Sequence, residues 1–437
     1  MVEGPVGRGV VRTVAESTQI PGGRLRRPTT CGRGGPTSAA PFGIPWGASG
    51  RRLQTKMQDE LIFIGTSDLS AHFRGKSFPA SELPSKRVQG VGLAPTNLYM
   101  GALGPIQMTT FGTAGEVFLV PDESTRVHLP DEGQGGEHFY LGDFVEMDGS
   151  PWAYCPRGAL RRALKDLEQE TGWQLLSTFE QEFTYSGVPA SPMRPYELDG
   201  LRRIGRFAPD LLGCLRLAGI TPDAFLAEFG PQQFEVTTTP KIGLRAADEA
   251  VITRELLRAV AHRHQQSVSL APMADPDGVA NGTHIHFSLL DRDGAPCLYD
   301  PKGTLGIAPA AEPFVAGILA ALPAICAISA ASVASYYRLR PNRWAPVRSD
   351  LGAYDRGAAL RVSPTHAVDE AAKARQYNLE FRVADATGNP YLLLAALVRA
   401  GLDGLRRGAS LAQHVPAALP NTLAQALAHL EIGRAHV

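Results

Sequence analysis

Acidic, imidazole and guanidinium side chains recur at every second residue in several short apolar segments of the sequence. Within residues 177–184, Glu180 and Glu182 alternate with phenylalanines, and the strand period of two places both carboxylates on one face, about 7 Å apart. His284 and His286 alternate with apolar residues in the same way. The other polar residues of this pattern are Ser288, Gln233, Glu235, Asn378, Glu380 and Arg382, with Glu228 shortly before Gln233. Each segment therefore predicts a strand with one apolar face and one ligand-bearing face.

These carboxylates predict bound cations. Any one segment alone is more typical of an antiparallel strand with a solvated face, but the recurrence favours a shared site. Two close carboxylates repel by roughly 1 kcal/mol in water and about 4 kcal/mol when partly buried. Carboxylate oxygens with an occasional imidazole suit Mg²⁺ or Mn²⁺, which would relieve that repulsion.

Four arginines near these segments indicate an anionic ligand. They are Arg338, Arg356, Arg361 and Arg382. Guanidinium groups beside metal ions are typical of phosphate or carboxylate recognition. Metals and arginines without an evident nucleophile favour phosphoryl transfer by positioning and electrostatics.

The segments between these motifs predict the elements that position them. Residues 60–155 read as short strands split by Gly/Pro turns, which favours a small β-rich domain. Pro156–Thr171 and Leu244–Gln265 have the apolar spacing of helices. Phe314–Ala334 carries no charge, but its Ala/Ser content and Pro323 predict two buried helices rather than a membrane span.

Composition limits the class of protein. The chain has 437 residues, with 43 basic and 43 acidic side chains and 44% hydrophobic residues, which is ordinary for a globular enzyme of two or three domains. Zero net charge argues against a nucleic-acid or polybasic membrane partner. Five cysteines without a CxxC pair favour reduced thiols in a cytoplasmic protein.

The two ends differ from the rest of the chain. Residues 1–56 are basic and rich in Gly, Pro, Ser and Thr, which predicts a disordered or mis-annotated extension, with Met57 as the native start. Residues 431–437 read as an artefactual tail, so we expect the catalytic domain, which begins at residue 153, to be truncated after residue 430.

Taken in order, the motifs resemble the glutamine synthetase family from about Asp68 to Leu405. The matching stretches are Glu180-Gln-Glu182, Glu228-Phe-Gly-Pro-Gln-Gln-Phe-Glu235, Asn281-Gly-Thr-His-Ile-His286, Arg338-Leu-Arg-Pro341, Arg356 with Arg361, Glu380-Phe-Arg382 and Asn389-Pro-Tyr391. The resemblance implies an α+β fold, with a small β-grasp N-terminal domain at 57–152 and a large catalytic domain of antiparallel strands and helices at 153–430. It also implies homo-oligomeric rings with active sites between neighbouring subunits.

The resemblance implies roles for individual residues in ATP-dependent joining of glutamate to an amine through γ-glutamyl phosphate. The implied ligands of two or three Mg²⁺ or Mn²⁺ ions are Glu182, Glu228 and Glu235 for one ion and Glu180, His284 and Glu380 for a second. The implied substrate contacts are Arg338 and Arg382 at the glutamate α-carboxylate, Arg356 and Arg361 at the phosphoryl group of ATP, His286 and Ser288 at the nucleotide, and Gly282 and Trp344 at the substrates. Because Arg356 and Arg361 are five residues apart, we expect a bulge near Gly357 to bring them to one face.

Two departures from the family pattern bear on the amine. Ammonium-using members carry a glutamate where this chain has Trp344, and an acidic residue in the N-terminal domain where Leu93–Asn97 has none. A tryptophan cannot accept a proton, but its face attracts organic cations. We therefore expect an organic amine, as in the γ-glutamylamine and γ-glutamylputrescine synthetase branch, although Trp344 could simply pack its loop.

Three alternatives remain open from the sequence. The first is an ordinary ammonium-using glutamine synthetase. The second is a non-catalytic, ring-forming member of the family, which the complete set of ligand-type residues disfavours. The third is an unrelated two-metal phosphohydrolase, which would release phosphate without glutamate.

Overall fold

The computed structural model describes residues 59–101, 104, 111–130, 136–190 and 195–434. The extension predicted at residues 1–56 lies outside the described residues, as do residues 435–437 of the predicted tail, whereas residues 431–434 continue the last helix. The described residues from Asp59 onward belong to one compact unit. The domain bounds 57–152 and 153–430 stay predictions.

The described strands are short and lie in both halves of this unit. They are β1 (Leu61–Ser67), β2 (Phe73–Pro79), β3 (Val91–Leu93), β4 (Val117–Pro121), β5 (Val127–Leu129), β6 (Glu137–Val145), β7 (Gln174–Phe179), β8 (Gln181–Tyr185), β9 (Pro222–Ala227), β10 (Gln233–Thr238), β11 (Lys241–Ile242), β12 (Val268–Ser269), β13 (Ile285–Leu290), β14 (Leu351–Ala353), β15 (Leu360–Val362) and β16 (Leu379–Phe381).

The described α-helices follow mainly in the second half. They are α1 (Leu83–Gln89), α2 (Pro156–Thr171), α3 (Leu198–Ile204), α4 (Phe207–Leu217), α5 (Leu244–Arg263), α6 (Glu312–Ser329), α7 (Ser335–Arg338), α8 (Glu370–Gln376), α9 (Pro390–Arg407) and α10 (Leu423–Arg434). The helix predicted at Pro156–Thr171 is confirmed, with its proline in the first turn, and the one predicted from Leu244 ends two residues earlier than expected.

The strands form three sheets. The first has the order β2-β1-β6-β4-β3 with β5 also on β6, the second β12-β8-β10-β9, and the third β11-β7-β13-β16-β15-β14. Among the described strands, pairing is antiparallel except between β1 and β6 and between β14 and β15. The predicted α+β class, with an N-terminal β-rich region and a larger mixed region, is confirmed.

One helix shows that the sequence prediction around Pro323 was wrong. The helix α6 continues through this proline instead of breaking into two. It packs closely on α9. The close approach is visible at Gly317, where an added Cβ would lie 2.3 Å from the backbone oxygen of Ala400 and 2.6 Å from the Cα of Gly404. By length and composition α6 could cross a membrane, but most of it is packed inside the fold, so it is a weak indication of a span.

Strand pairing brings the predicted ligands together. The segment 177–184 is not one strand: it passes at Glu180 from β7 in the third sheet to β8 in the second. Glu182 on β8 lies opposite Glu235 on β10, and on β16 Glu380 lies between His286 and Arg361 of the adjacent strands. Each of these contacts joins two side chains that face the same side of a sheet.

Asn389 links the start of α9 to the end of β1. Its side-chain oxygen accepts hydrogen bonds from the N–H groups of Tyr391 and Leu392, at 2.9 and 3.1 Å, and so caps the helix. Its amide nitrogen donates to the backbone oxygens of Ser67 and Asp68, both at 2.9 Å. The Asn389-Pro-Tyr391 motif is therefore accounted for by helix capping and by the joining of two distant segments.

Replacing Asn389 by alanine is expected to lower the free energy of unfolding by about 2 to 3 kcal/mol. The change removes a cap, worth about 1 kcal/mol, and leaves buried carbonyl groups without a donor. Asp369→Ala is the matched control, since Asp369 caps the exposed helix α8 through Ala372 N–H alone and should cost about 1 kcal/mol. Urea unfolding of both variants measures the difference, and equal losses would contradict the linking role of Asn389.

Candidate active site

A cavity of about 610 Å³ lies where the second and third sheets meet. Twelve of the site residues predicted from the sequence line it: Glu180, Glu182, Glu228, Glu235, His284, Glu380, Arg338, Arg356, Arg361, Arg382, Gly282 and Trp344. The other two, His286 and Ser288, line an adjacent cavity of about 300 Å³, and Glu180 borders both cavities. The predicted residues are thus brought together rather than scattered.

Two histidines hold Glu180 between the cavities. The Nδ1 atom of His284 lies 2.9 Å from one oxygen of Glu180, and the Nε2 atom of His286 lies 2.9 Å from the other. His284 Nδ1 is also 3.6 Å from Glu380 and 3.9 Å from Glu182. His286 Nδ1 in turn lies 2.8 Å from the Asn378 side-chain oxygen, at the edge of the smaller cavity.

Burial and mutual repulsion both act on the carboxylates of the cavity. Burial, followed by the charge of Glu182, raises the pKa of Glu228 to about 7. Burial, followed by the charge of Glu180, raises the pKa of Glu235 to about 10. Burial alone would also raise the pKa of Glu180, but hydrogen bonds to the two imidazoles hold it well below its ordinary value. The acids therefore share a site that favours added positive charge.

The donor atoms fit divalent cations in chemistry and spacing. Ligand atoms of Glu180, Glu235 and His284 lie within 4.8 Å of one another, and so do those of Glu180, His286 and Glu380. Carboxylate oxygens with one imidazole are the set that Mg²⁺ or Mn²⁺ accepts. The first group combines members of both ligand sets implied by the family resemblance, and the second adds His286, so the assignment of residues to individual ions stays a prediction.

Glu380 also binds two of the four predicted arginines. Its carboxylate accepts hydrogen bonds from Arg361, at 2.6 Å, and from Arg382. Arg382 further donates to the backbone oxygens of Arg356, at 2.9 Å, and Trp344, at 3.4 Å. These contacts hold the arginines next to the acidic residues and to the loop that carries Trp344.

Arg338 is held by backbone oxygens and contacts His284. Its guanidinium donates to the backbone oxygens of Val383 and Arg382, both at 2.9 Å, and lies 3.4 Å from His284 Nε2. Because an arginine only donates, a hydrogen bond between the two groups requires His284 Nε2 to accept, so Nδ1, which faces Glu180, is the atom left for a proton or a metal ion. Here Arg338 orients an imidazole, so its predicted contact with glutamate stays a prediction.

A turn rather than a strand bulge brings Arg356 and Arg361 to one cavity. Arg356 and Gly357 lie between β14 and β15, where the Asp355 side chain accepts the Gly357 N–H at 2.8 Å. Arg361 lies on β15 itself. The predicted bulge was wrong, because a short side-chain-capped turn lets Arg356 reach the cavity from outside the sheet.

The close approach of the His284 and Arg338 side chains explains the glycine at position 282. Its N–H donates to Glu182 at 2.7 Å. A Cβ at this position would lie 2.7 Å from His284 Nε2 and 2.9 Å from an Arg338 nitrogen. Gly282 thus allows an acid, an imidazole and a guanidinium to meet around one backbone segment.

Three aromatic rings line one side of the larger cavity. Trp344 stacks on Phe229, with ring centroids 5.8 Å apart and an interplanar angle of 25°, and Tyr196 meets Phe229 edge-on at 5.7 Å. Trp344 is 69% exposed. Of these three rings, Trp344 alone was predicted from the sequence. The position of Phe229 directly after Glu228 was a usable signal, whereas nothing in the sequence pointed to Tyr196.

The fold and the cavity together define a class of protein. It is an α+β enzyme whose cavity is lined by acidic residues and arginines and lies where two mainly antiparallel sheets meet. The family model described as glutamine synthetase, catalytic domain, matches residues 153–432, and the one described as glutamine synthetase N-terminal domain matches residues 51–152. The chain therefore belongs to the glutamine synthetase family and is a glutamine synthetase-like ligase.

Relatives and solved structures agree with this placement. Gamma-glutamylpolyamine synthetase GlnA3 of Streptomyces coelicolor is 32% identical over 365 residues, 81% of this chain and 76% of that protein. Gamma-glutamylputrescine synthetase PuuA of Escherichia coli is 26% identical over 383 residues, 81% of this chain and 78% of that protein. The crystal structure of a novel glutamine synthase homolog has a TM-score of 0.82 and 37% identity, covering 87% of this chain and 90% of that one. Proteins named glutamine synthetase also match, at 27 to 30% identity.

Proposed function

We propose that this protein joins the γ-carboxylate of glutamate to an organic amine, using ATP and forming γ-glutamyl phosphate. The observation that carries the proposal is the convergence of five glutamates, an imidazole and five arginines, the four predicted ones and Arg343, on one cavity that has an aromatic side. Membership of the glutamine synthetase family supports the use of ATP and divalent metal ions. The relatives named for polyamine and putrescine support an organic amine.

The reaction would proceed in two displacements. A γ-carboxylate oxygen of glutamate attacks the terminal phosphorus of ATP, and the bond to ADP breaks. The amine nitrogen then attacks the γ-carbonyl carbon, and phosphate leaves as the amide forms. Arg356 and Arg361 would face the transferred phosphoryl group, where fixed positive charge stabilises the transition state.

The acids and His284 would hold the divalent ions, whose charge offsets the repulsion between carboxylate and triphosphate when they are bound. The candidate ligands are Glu180, Glu182, Glu228, Glu235, His284 and Glu380. His286 and Ser288 would lie by the nucleotide, in the smaller cavity that shares Glu180 with the larger one. Gly282, Arg338 and Arg382 would position glutamate next to the phosphoryl group.

Trp344 and Phe229 would hold the amine. Their stacked rings present an aromatic face to the cavity, and such a face attracts an alkylammonium ion by cation–π and apolar contact. Neither ring can accept a proton. This distinguishes position 344 from that of ammonium-using relatives, which carry a carboxylate there. The free amine must therefore form before attack without help from residue 344.

The test is ADP release by the full chain with ATP, Mg²⁺ or Mn²⁺ and glutamate, compared among ammonium, ethylamine, butylamine and 1,4-diaminobutane. We expect organic amines to give a higher kcat/KM than ammonium. Trp344→Ala should raise the KM for the amine about fivefold, in line with the loss of a cation–π contact, and leave the KM for glutamate and ATP unchanged. Trp344→Phe is the control that keeps an aromatic face.

Each alternative has its own outcome in this assay. A clear preference for ammonium would make the protein an ordinary glutamine synthetase. Phosphate release without glutamate would reveal a phosphohydrolase, and no turnover with any amine would leave a non-catalytic family member. We further propose a cytoplasmic homo-oligomeric ring with active sites between subunits, which light scattering on the purified protein tests through its mass.

A further inference from the structure

An outer cavity of about 560 Å³ opens beside the catalytic one. Its lining residues are Asn342, Trp344, Tyr354, Asp355, Arg356 and Gly357. Trp344 and Arg356 border both cavities. A molecule whose reactive end lies against Trp344 can therefore extend its other end into the outer cavity.

The backbone around the outer cavity is strained. Asn342, Trp344 and Tyr354 have φ angles of 65°, 54° and 62°, in the left-handed region that bulky residues rarely adopt. Of the eight non-glycine residues with positive φ in the described part of the chain, three line this one cavity. Such strain persists where the surrounding fold enforces it, and it concentrates at ligand sites.

The strained residues present aromatic rings to this space. Tyr354 is 64% exposed and Trp344 is 69% exposed. The rest of the chain does not bury these two large rings, so packing within the chain does not account for the backbone strain. An apolar chain lying against them would cover both.

The charge of the outer cavity has a defined arrangement. Asp355 is exposed and is the one carboxylate among the described residues that line this cavity. Arg356, its neighbour in the chain, is close enough to Glu228 and Tyr196 for its charge to act on both inside the catalytic cavity. Asp355 is thus the group in the outer cavity that can pair with a cation, while the charge of Arg356 also acts on the catalytic cavity.

We propose that the outer cavity receives the far end of a diamine or polyamine substrate, with its second ammonium group paired to Asp355 and its methylene chain against Trp344 and Tyr354. This inference rests on the proposed function and narrows its substrate class from amines in general to amines with a second positive charge. Asp355 would set specificity without taking part in the chemistry.

The test compares two amines of equal carbon chain length, butylamine and 1,4-diaminobutane, which differ only in the second ammonium group. We expect the diamine to have a kcat/KM about fivefold higher, the size of effect that a solvent-accessible ion pair provides. Asp355→Asn should remove this advantage and leave the kcat/KM for butylamine unchanged. Asparagine keeps the acceptor oxygen for the Gly357 N–H, so the turn that carries Arg356 is retained.

Asp148→Asn is the matched control, because Asp148 is an exposed aspartate that accepts the Ser150 N–H in the same type of turn, at 2.9 Å. This variant should leave the kcat/KM for both amines unchanged. Raising the ionic strength should reduce the diamine advantage of the unmodified protein, since salt screens exposed ion pairs. Thermal unfolding of both variants verifies that the fold is intact.

Two results would overturn the inference: equal kcat/KM for both amines in the unmodified protein, or an Asp355→Asn variant that loses activity equally with both. Either result leaves the proposed ligase activity standing, because butylamine would still support ADP release. Failure of the proposed function is distinct, since no organic amine would then be used at all.

Discussion

Replacing Arg157 by methionine is expected to lower the free energy of unfolding by about 3 to 5 kcal/mol. The Arg157 side chain is 1% exposed and binds three aspartates: Asp248 at 2.9 Å, and Asp122 and Asp143 at 2.7 Å each. Tyr391 donates a further hydrogen bond to Asp248 at 2.8 Å. Methionine fills a similar volume but leaves the buried Asp248 carboxylate without a cation, which is the costly way to break such a network.

Arg161→Ala provides the matched control for this prediction. Arg161 lies one turn later on the same helix, α2, and binds the same Asp143 at 2.8 Å, but its side chain is 51% exposed. An exposed pair contributes about 0 to 1 kcal/mol. Urea unfolding should separate the two variants by several kcal/mol. Equal and small losses of unfolding free energy in the two variants would contradict this prediction. They would show that the aspartates bound by Arg157 become protonated or hydrated when it is replaced.

The second large effect is expected at Glu182. Replacing it by glutamine should reduce ADP release about 10³-fold, the loss found when one group that stabilises transition-state charge is removed. Glutamine keeps an acceptor oxygen for the Gly282 N–H, so the backbone arrangement around the cavity is retained. The metal concentration needed for half-maximal rate should rise as well, since a charged ligand becomes neutral.

Stability separates a functional from a structural role for Glu182. It lies opposite Glu235 in the β8–β10 register, and like charges directly opposite destabilise a sheet. In metal-free buffer the Glu182→Gln variant should therefore unfold at the same or a higher temperature than the unmodified protein. Glu370→Gln, on the exposed helix α8, is the control and should change the rate less than about twofold. Retained turnover in Glu182→Gln would exclude Glu182 from the metal site.

Much of the candidate site could be predicted from the sequence because its residues follow the period of a strand. Glu182, Glu235, His286 and Glu380 lie on strands, and each faces a polar neighbour on the adjacent strand. The alternation identified which side chains share a face, and the order of the motifs identified the family. Predictions that needed only local geometry, such as the helix from Pro156, were equally accurate.

Predictions that depended on distant contacts were less complete. The break in the strand at Glu180 arises because the chain changes sheets there, and Arg356 reaches the cavity through a turn. The helix through Pro323 persists because packing on α9 outweighs the lost hydrogen bond. In each case the deciding energy comes from neighbours far away in the chain, which local patterns do not report.

The sequence by itself determined the family, the ligand types and the faces on which they lie, because the alternation of side chains is a property of each strand alone. Only the tertiary structure decided which faces meet, since Asn389 and Ser67 are 322 residues apart yet share a hydrogen bond. It also decided that Tyr196, Phe229 and Trp344 form one aromatic side and that Asp355 borders a second cavity. These arrangements are set by the packing of loops from separate parts of the chain, and no periodicity along the sequence encodes them.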